Sequence, residues 1–508
     1  MSEQLALLPE YLTAHLQLTL LALLLSAAVS LPLGVAVTRF PRLEPLVLAV
    51  AGIIQTIPGL ALLAIMVPLL AAMGFQSIGF FPAVAGLTLY GVFPILRNTV
   101  TGLAGVDPAL KEAAQGVGMT PRQQLVRVEL PLAMPVIVAG LRTATIWLVG
   151  MTTLSTPVGA TSLGNYIFSG LQTRNYTAVL VGCMAAAGLA LLLDGTIRTI
   201  ERGLTDRRRR SVLASLALVT GLWIYVAGTL AAPFVTDRAR PIVIGSKTFT
   251  EQYVLSAILA QWIEQETGRP TQLVQSLGSI VAFDALDAGE IDVYVDYSGT
   301  LWANIMGRAS EPATTQEVLH ALERYLQGER DITLVTTLGF ENAYALAVRA
   351  EDAGRLHLRR ISDLAPHAPA MAIGGDYEFF ARPEWTAIRE VYGLSFAEQR
   401  MMDSTLMYQA VAQENVDVIS AFSSDGRVAA YGLTLLDDDR DAIPPYDAVV
   451  LVGLNVASRY PDVVQALARL EHSISVDAMR TMNLAVDEAG ESPSAVAAGF
   501  VQALTQKE

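Results

Sequence analysis

The chain has 508 residues, of which 52% are hydrophobic and 16% charged. An average soluble domain carries roughly 25% charge, so the composition excludes a single water-soluble globule. Residues 1–210 hold 14 Lys and Arg against 9 Asp and Glu, whereas 211–508 hold 20 against 39. A segment of net +5 thus precedes one of net −19, and so acidic a segment repels phosphate backbones, which argues against nucleic acid as a partner. The single cysteine, Cys183, excludes an intramolecular disulfide, and five scattered histidines offer no metal-ligand spacing.

Six apolar runs reach the roughly 20 residues needed to cross a bilayer: 14–38, 45–73, 80–100, 133–155, 176–197 and 211–235. Glu3 and Glu10 stand before the first run in place of a basic region, so it reads as a span and not as a cleavable leader. Arg39 and Arg42 follow the first run, and Lys111, Arg122 and Arg127 lie between the third and fourth. Arg198, Arg202 and Arg207–Arg210 lie between the fifth and sixth, while the opposite connections carry only Arg174. The positive-inside rule therefore predicts an exterior N-terminus and a sixth span running outward, which delivers the acidic segment to the exterior.

The connection 101–132 is too patterned for a simple link. Asp107-Pro108 is a helix start, Ala109, Leu110, Ala113 and Ala114 give a small apolar face, and Gly118 ends the helix. Thr120-Pro121 begins a second short helix with Leu125 and Val128 as its apolar positions. Such a pair on a cytoplasmic loop predicts a surface gripped by a partner; a segment lying on the bilayer is the other reading.

Beyond the sixth run, Ile242 to Ile244 reads as a buried strand leading through a glycine turn into a helix over about 251–267. Gly245-Ser246-Lys247-Thr248 fails as a phosphate loop, because serine precedes the lysine and Arg240 stands where the motif needs glycine. Short apolar runs at 273–274, 293–295, 344–348, 371–373 and 416–419 alternate with helical stretches, an α/β pattern. Roughly 270 residues exceed one small domain and predict two lobes with a ligand cleft between them.

Three groups of residues carry a family resemblance. Glu112-Ala113-Ala114, Gly118 and Leu130-Pro131 resemble the coupling loop of ABC-importer permeases. Gln55-Thr56-Ile57-Pro58-Gly59-Leu60-Ala61-Leu62 resembles the permeases for glycine betaine, carnitine and choline. Gly245 to Glu251, Asp292 to Thr300, Ser423 to Arg427 and Pro444 to Tyr446 resemble the binding proteins of the same osmoprotectant family. The resemblance implies a multi-domain chain. An all-α transmembrane permease of the type I importer class spans 1–235, with its coupling loop at 101–132. A two-lobed α/β binding-protein domain of type II follows over 240–508. The resemblance also implies a bacterial inner-membrane location among lipid, a separate ATPase dimer that binds ATP and Mg, and two copies of this chain. The chain itself is then no enzyme and needs no cofactor or metal.

The implied ligand is a small zwitterion or cation of the glycine betaine, choline, carnitine or proline betaine type. For it the resemblance implies an aromatic box of Tyr297, Tyr344, Phe422 and Tyr446 around a quaternary ammonium, and a carboxylate clamp of Lys247, Thr300 and Arg382. A trimethylammonium donates no hydrogen bond, so ring faces must solvate it. Ser246, Asp296, Glu341 and Asp425 are further candidate contacts. Val295-Asp296 replaces the usual Pro-Glu of the family, and Phe422 replaces a common tyrosine. The added carboxylates suit a ligand with extra donors, such as ergothioneine. The rival of another class, a ligand-gated channel or sensor, would lack the coupling loop.

Overall fold

The computed structural model describes residues 2–40, 42–173, 175–205, 209–235, 240–308, 313–376 and 378–506. Arg174, Arg207 and Arg208 of the charge argument, and linker residues 236–239, lie outside the described residues. The chain divides into a helical unit and an α/β unit.

In the helical unit the apolar runs form helices, which satisfy every interior backbone polar group without water. Among the described residues five helices are long and apolar enough to cross a membrane: Leu5–Val37, Phe80–Ala104, Pro121–Thr153, Tyr176–Arg202 and Leu213–Ala232. The run expected over 45–73 is instead a broken pair, Glu44–Thr56 and Gly59–Ala72, bent by 99°. Pro58 is the cause. The residue before a proline is pushed out of the helical region, and Ile57 takes ψ 128°. Pro58 itself follows at ψ 132°.

A second difference lies in the loop 101–132. The helix expected after Thr120 is not separate: Pro121–Gln124 passes through a widened turn, Leu125–Glu129, into Leu130–Thr153. Pro131 has no N–H to return to the carbonyl four residues earlier, and the helix widens just before it.

Among the described residues the α/β unit contains ten strands: β1 Ile242–Lys247, β2 Thr271–Leu277, β3 Val293–Tyr297, β4 Thr333–Glu341, β5 Tyr344–Arg349, β6 Ala372–Gly375, β7 Glu398–Met401, β8 Val418–Phe422, β9 Leu433–Leu436 and β10 Asp447–Val452. They form two five-stranded sheets, ordered β2-β1-β3-β10-β4 and β7-β6-β8-β5-β9. The chain leaves the first sheet after β4, builds the whole second sheet, and returns as β10, antiparallel between β3 and β4. Two crossings, at 341–344 and 436–447, therefore join two lobes. Central strands are covered on both faces and read as continuous apolar runs: Ala448, Val449, Val450, Leu451 and Val452 of β10 are all fully buried. Strands β4, β7, β9 and β10 fall outside the apolar runs read from the sequence. Of these, β7 is an exposed edge strand, Glu398-Gln399-Arg400-Met401, whose side chains carry no burial signal.

Candidate functional site

Strand register brings the aromatic residues together. Tyr344 at the start of β5 pairs with Phe422 at the end of β8, and their ring centroids lie 5.1 Å apart. Tyr297 ends β3 opposite Ala448 of β10, so Tyr446, just before β10, emerges beside it. Tyr446 meets Tyr344 edge-on at 6.1 Å. Phe249 stacks on Tyr297 at 6.1 Å and on Phe422 at 6.5 Å, linking rings of both lobes. Gly299 makes room for Tyr446: a Cβ there would lie 2.5 Å from the ring. The four rings expected from the sequence thus form one cluster, to which the structure adds Phe249 and Phe379, the latter 5.3 Å from Tyr344.

The residues expected to hold a carboxylate differ from one another. Arg382 lies with its guanidinium 5.4 Å from the Tyr344 ring centre. Its Nη2 donates to Glu378 Oε2 at 2.5 Å, but Nε and Nη1, both buried, find no hydrogen-bond partner among the described residues. Burial works against its charge, yet Tyr344, Glu378 and the other acidic groups around it hold it above the usual arginine value. Lys247 is already occupied: its Nζ forms a buried ion pair with Asp296 Oδ1, 5.6 Å from the centre of the Tyr297 ring. Thr300 lies buried in the turn after β3, and the buried Ser246 Oγ has no partner among the described residues.

Of the acidic candidates, Asp296 is fully engaged. Besides Lys247 it accepts from Tyr294 Oη at 2.6 Å and from the Tyr297 N–H at 2.7 Å. Asp425 is held by Arg427, whose Nε and Nη2 donate to its two oxygens at 2.9 and 2.6 Å. Glu341 pairs in register with Asp447 at one crossing, two acids side by side. The structure instead marks acids absent from the sequence expectations. Glu384 is 1% exposed; its Oε1 accepts from Tyr446 Oη, and its Oε2 has no partner among the described residues. Asp376 Oδ2 is likewise buried and unpartnered among them, and burial raises its carboxyl. Glu251, 3% exposed, accepts from Tyr297 Oη at 2.6 Å, Asn342 Nδ2 at 2.9 Å and Asn483 Nδ2 at 3.1 Å. Phe249 and Glu251 stand inside the Gly245-to-Glu251 signature and are legible there. Glu384 carries only the signal of an acid in a helix's first turn.

The loop expected to couple the chain to a partner has a different character. Asp107 caps the helix Pro108–Gly116 by accepting from the Ala109 N–H at 2.8 Å. Thr120 and Gln123 form a reciprocal capping box at the next helix start. Ala114 is buried, whereas Glu112, Ala113 and Gly118 are exposed. Gly118 takes φ +79°, a conformation that glycine holds without strain. Val117, 74% exposed, and Leu110, 45% exposed, leave apolar surface uncovered. In the widened turn, Glu129 is buried and accepts from Arg39 and Gln124, each at 2.8 Å.

Comparison with known proteins agrees with both halves. Residues 240–503 match the substrate-binding domain of the ABC-type glycine betaine transport system, and residues 28–211 match the binding-protein-dependent transport system inner membrane component. The ergothioneine transport permease/ergothioneine binding protein EgtU of Helicobacter pylori is 29% identical over 486 residues, covering 93% of this chain and 86% of that protein. The choline transport system permease protein OpuBB of Bacillus subtilis is 43% identical over 191 residues, 38% of this chain and 85% of that one. The carnitine transport binding protein OpuCC of Listeria monocytogenes is 30% identical over 267 residues, 51% of this chain and 86% of that one.

Proposed function

This chain belongs to the family of ABC importers for glycine betaine, choline and carnitine, as a permease joined to its substrate-binding domain, and from that premise we propose that it imports a carboxylated trimethylammonium compound. The observation that carries the proposal is Arg382: two buried, unpartnered guanidinium donors beside a cluster of aromatic rings. An unmet buried donor costs about 1–3 kcal/mol, and a ligand carboxylate accepting from it removes that cost. The rings supply the faces that a trimethylammonium needs.

A second reading is favoured by the unpartnered acceptors Glu384 Oε2 and Asp376 Oδ2. Glycine betaine has no N–H or O–H to offer them. Ergothioneine, a betaine with N–H donors on its ring, does, and a relative aligned over both halves bears its name. The two readings share one architecture. A separate ATPase pair grips the coupling loops of two copies of this chain in a bacterial inner membrane, with the binding domain, over 240–508, outside.

Calorimetry on the purified full chain with glycine betaine, choline, carnitine and ergothioneine tests this. Carboxylated ligands are expected to bind more tightly than choline, and Tyr446→Ala to weaken each by about 1–2 kcal/mol through loss of a ring face. Unchanged affinities in Tyr446→Ala would remove the box from the reading. Preference for ergothioneine over every simple betaine would decide for the second reading.

A further inference from the structure

Two of the clustered tyrosines share a feature that a cation box does not itself require. Tyr297 Oη ends on Glu251 and Tyr446 Oη ends on Glu384. A ring face attracts a cation whatever its hydroxyl bonds to, and a backbone carbonyl would satisfy that hydroxyl at less cost. A buried carboxylate is destabilising unless it is compensated. Glu251 forms no ion pair among the described residues; its compensation comes from donors that include Tyr297, Asn342 and Asn483. Each of these hydrogen bonds is one the Glu251 carboxyl accepts, an arrangement that suits its ionised form. Burial raises the Glu251 carboxyl and outweighs its hydrogen bonds, from Ser424 as well as from these three, which pull it back towards the charged state. Both phenols are pushed well up, first by burial and then by the neighbouring carboxylate, so each stays protonated and donates.

Resting on the reading of these rings as the ligand box, we infer that Glu251 and Glu384 set the charge selectivity of the site by acting through the phenols of Tyr297 and Tyr446. An O–H shared with a carboxylate shifts electron density onto the ring and deepens the negative face that a cation meets. The two carboxylates are positioning groups at the backs of the rings. Their strengths differ. Arg382 Nη1 lies 3.9 Å from Glu384 and offsets part of its charge. Lys247, a cation beside the Tyr297 ring, is neutralised by Asp296, which leaves the effect of Glu251 in place.

The test measures binding to the purified full chain of choline, of its uncharged isostere with a tert-butyl group in place of trimethylammonium, and of ergothioneine. Glu251→Gln is expected to weaken choline and ergothioneine about five-fold and the isostere less than about two-fold. Glu384→Gln should follow the same pattern more weakly. In a Tyr297→Phe background the choline effect of Glu251→Gln should shrink below about two-fold, because the connecting hydroxyl is gone. Equal losses for choline and its isostere, or an undiminished loss in the Phe background, would overturn the inference. Should Glu251→Gln fail to fold, Tyr297→Phe alone decides: it must weaken choline and spare the isostere, and unchanged choline affinity overturns the inference. A parental chain that binds none of choline, glycine betaine, carnitine and ergothioneine would overturn the underlying box reading itself.

Discussion

In the loop around Pro108–Gly116 the helix starts are capped and apolar side chains are exposed; in the proposed ligand site the tyrosine rings are buried and several polar atoms lack hydrogen-bond partners among the described residues. Asp107, Thr120 and Gln123 cap their helices, while Val117 and Leu110 face outward. At the rings, Arg382, Glu384 and Asp376 carry buried atoms with no hydrogen-bond partner among the described residues. The two deficits suit different occupants. Uncovered apolar area is met by a folded partner that brings area of its own. Orphaned polar atoms among buried rings are met by a small molecule that brings complementary atoms. The loop thus fits a protein, and the ring cluster fits a zwitterion.

The most severe way to break this comparison is Gly118→Trp. The position needs φ +79° and has no atom within 4 Å of where a Cβ would stand, so a bulky side chain both strains the turn and obstructs the exposed surface. Ligand-driven uptake in vesicles with the partner ATPase should be abolished, and ligand affinity of the same protein should stay at the parental value. Uptake at the parental rate would end the assignment of the loop.

Arg382→Ala should cost carboxylated ligands about 3–5 kcal/mol, since it removes a buried charge that meets theirs. Choline, with no carboxylate, should lose less than about 1 kcal/mol, because it leaves no charge unpaired. Calorimetry of choline against glycine betaine reads the difference. Equal losses would mean that Arg382 serves packing. Uptake should fall only as far as ligand occupancy falls.

A smaller effect separates the units by pH. Asp487, buried beside Thr250 and Arg427, has its carboxyl raised from 3.8 to about 6, first by burial and against the pull of Arg427. Its other charged neighbours, Asp425 and Glu488, push the same way as burial. Because the folded pKa exceeds the unfolded one, the native state keeps this proton longer than the unfolded chain does. Stability from this group is therefore highest below about pH 4 and falls as pH rises to about 6, by about 3 kcal/mol at most. Asp487→Asn should remove that slope from the thermal midpoint of the α/β unit measured between about pH 4 and 7. Gly118→Trp should leave it untouched.

Much of the organisation is readable from residues alone because it depends on composition and local chemistry. Apolar runs of membrane length, arginines on one side, and Asp107-Pro108 as a helix start are properties of a segment, whatever surrounds it. The same holds for most of the central strands, since strands buried on both faces must be apolar throughout. What escapes depends on neighbours distant in sequence. Pro58 announces a break, but the angle of 99° between the two halves is read only from the folded chain. The edge strand β7 has no apolar signal, and β10 gains its place only when the chain returns from the second lobe. Lys247 and Arg382 look alike as cations. Tertiary structure sets Asp296, 49 residues further along on the adjacent strand, against the one and leaves two donors of the other without a hydrogen bond among the described residues. The partners of the tyrosine hydroxyls, 46 and 62 residues away, are fixed in the same way. Residue type determines which charges a chain can present; only burial and the company of other segments decide which of them remain free to meet a ligand.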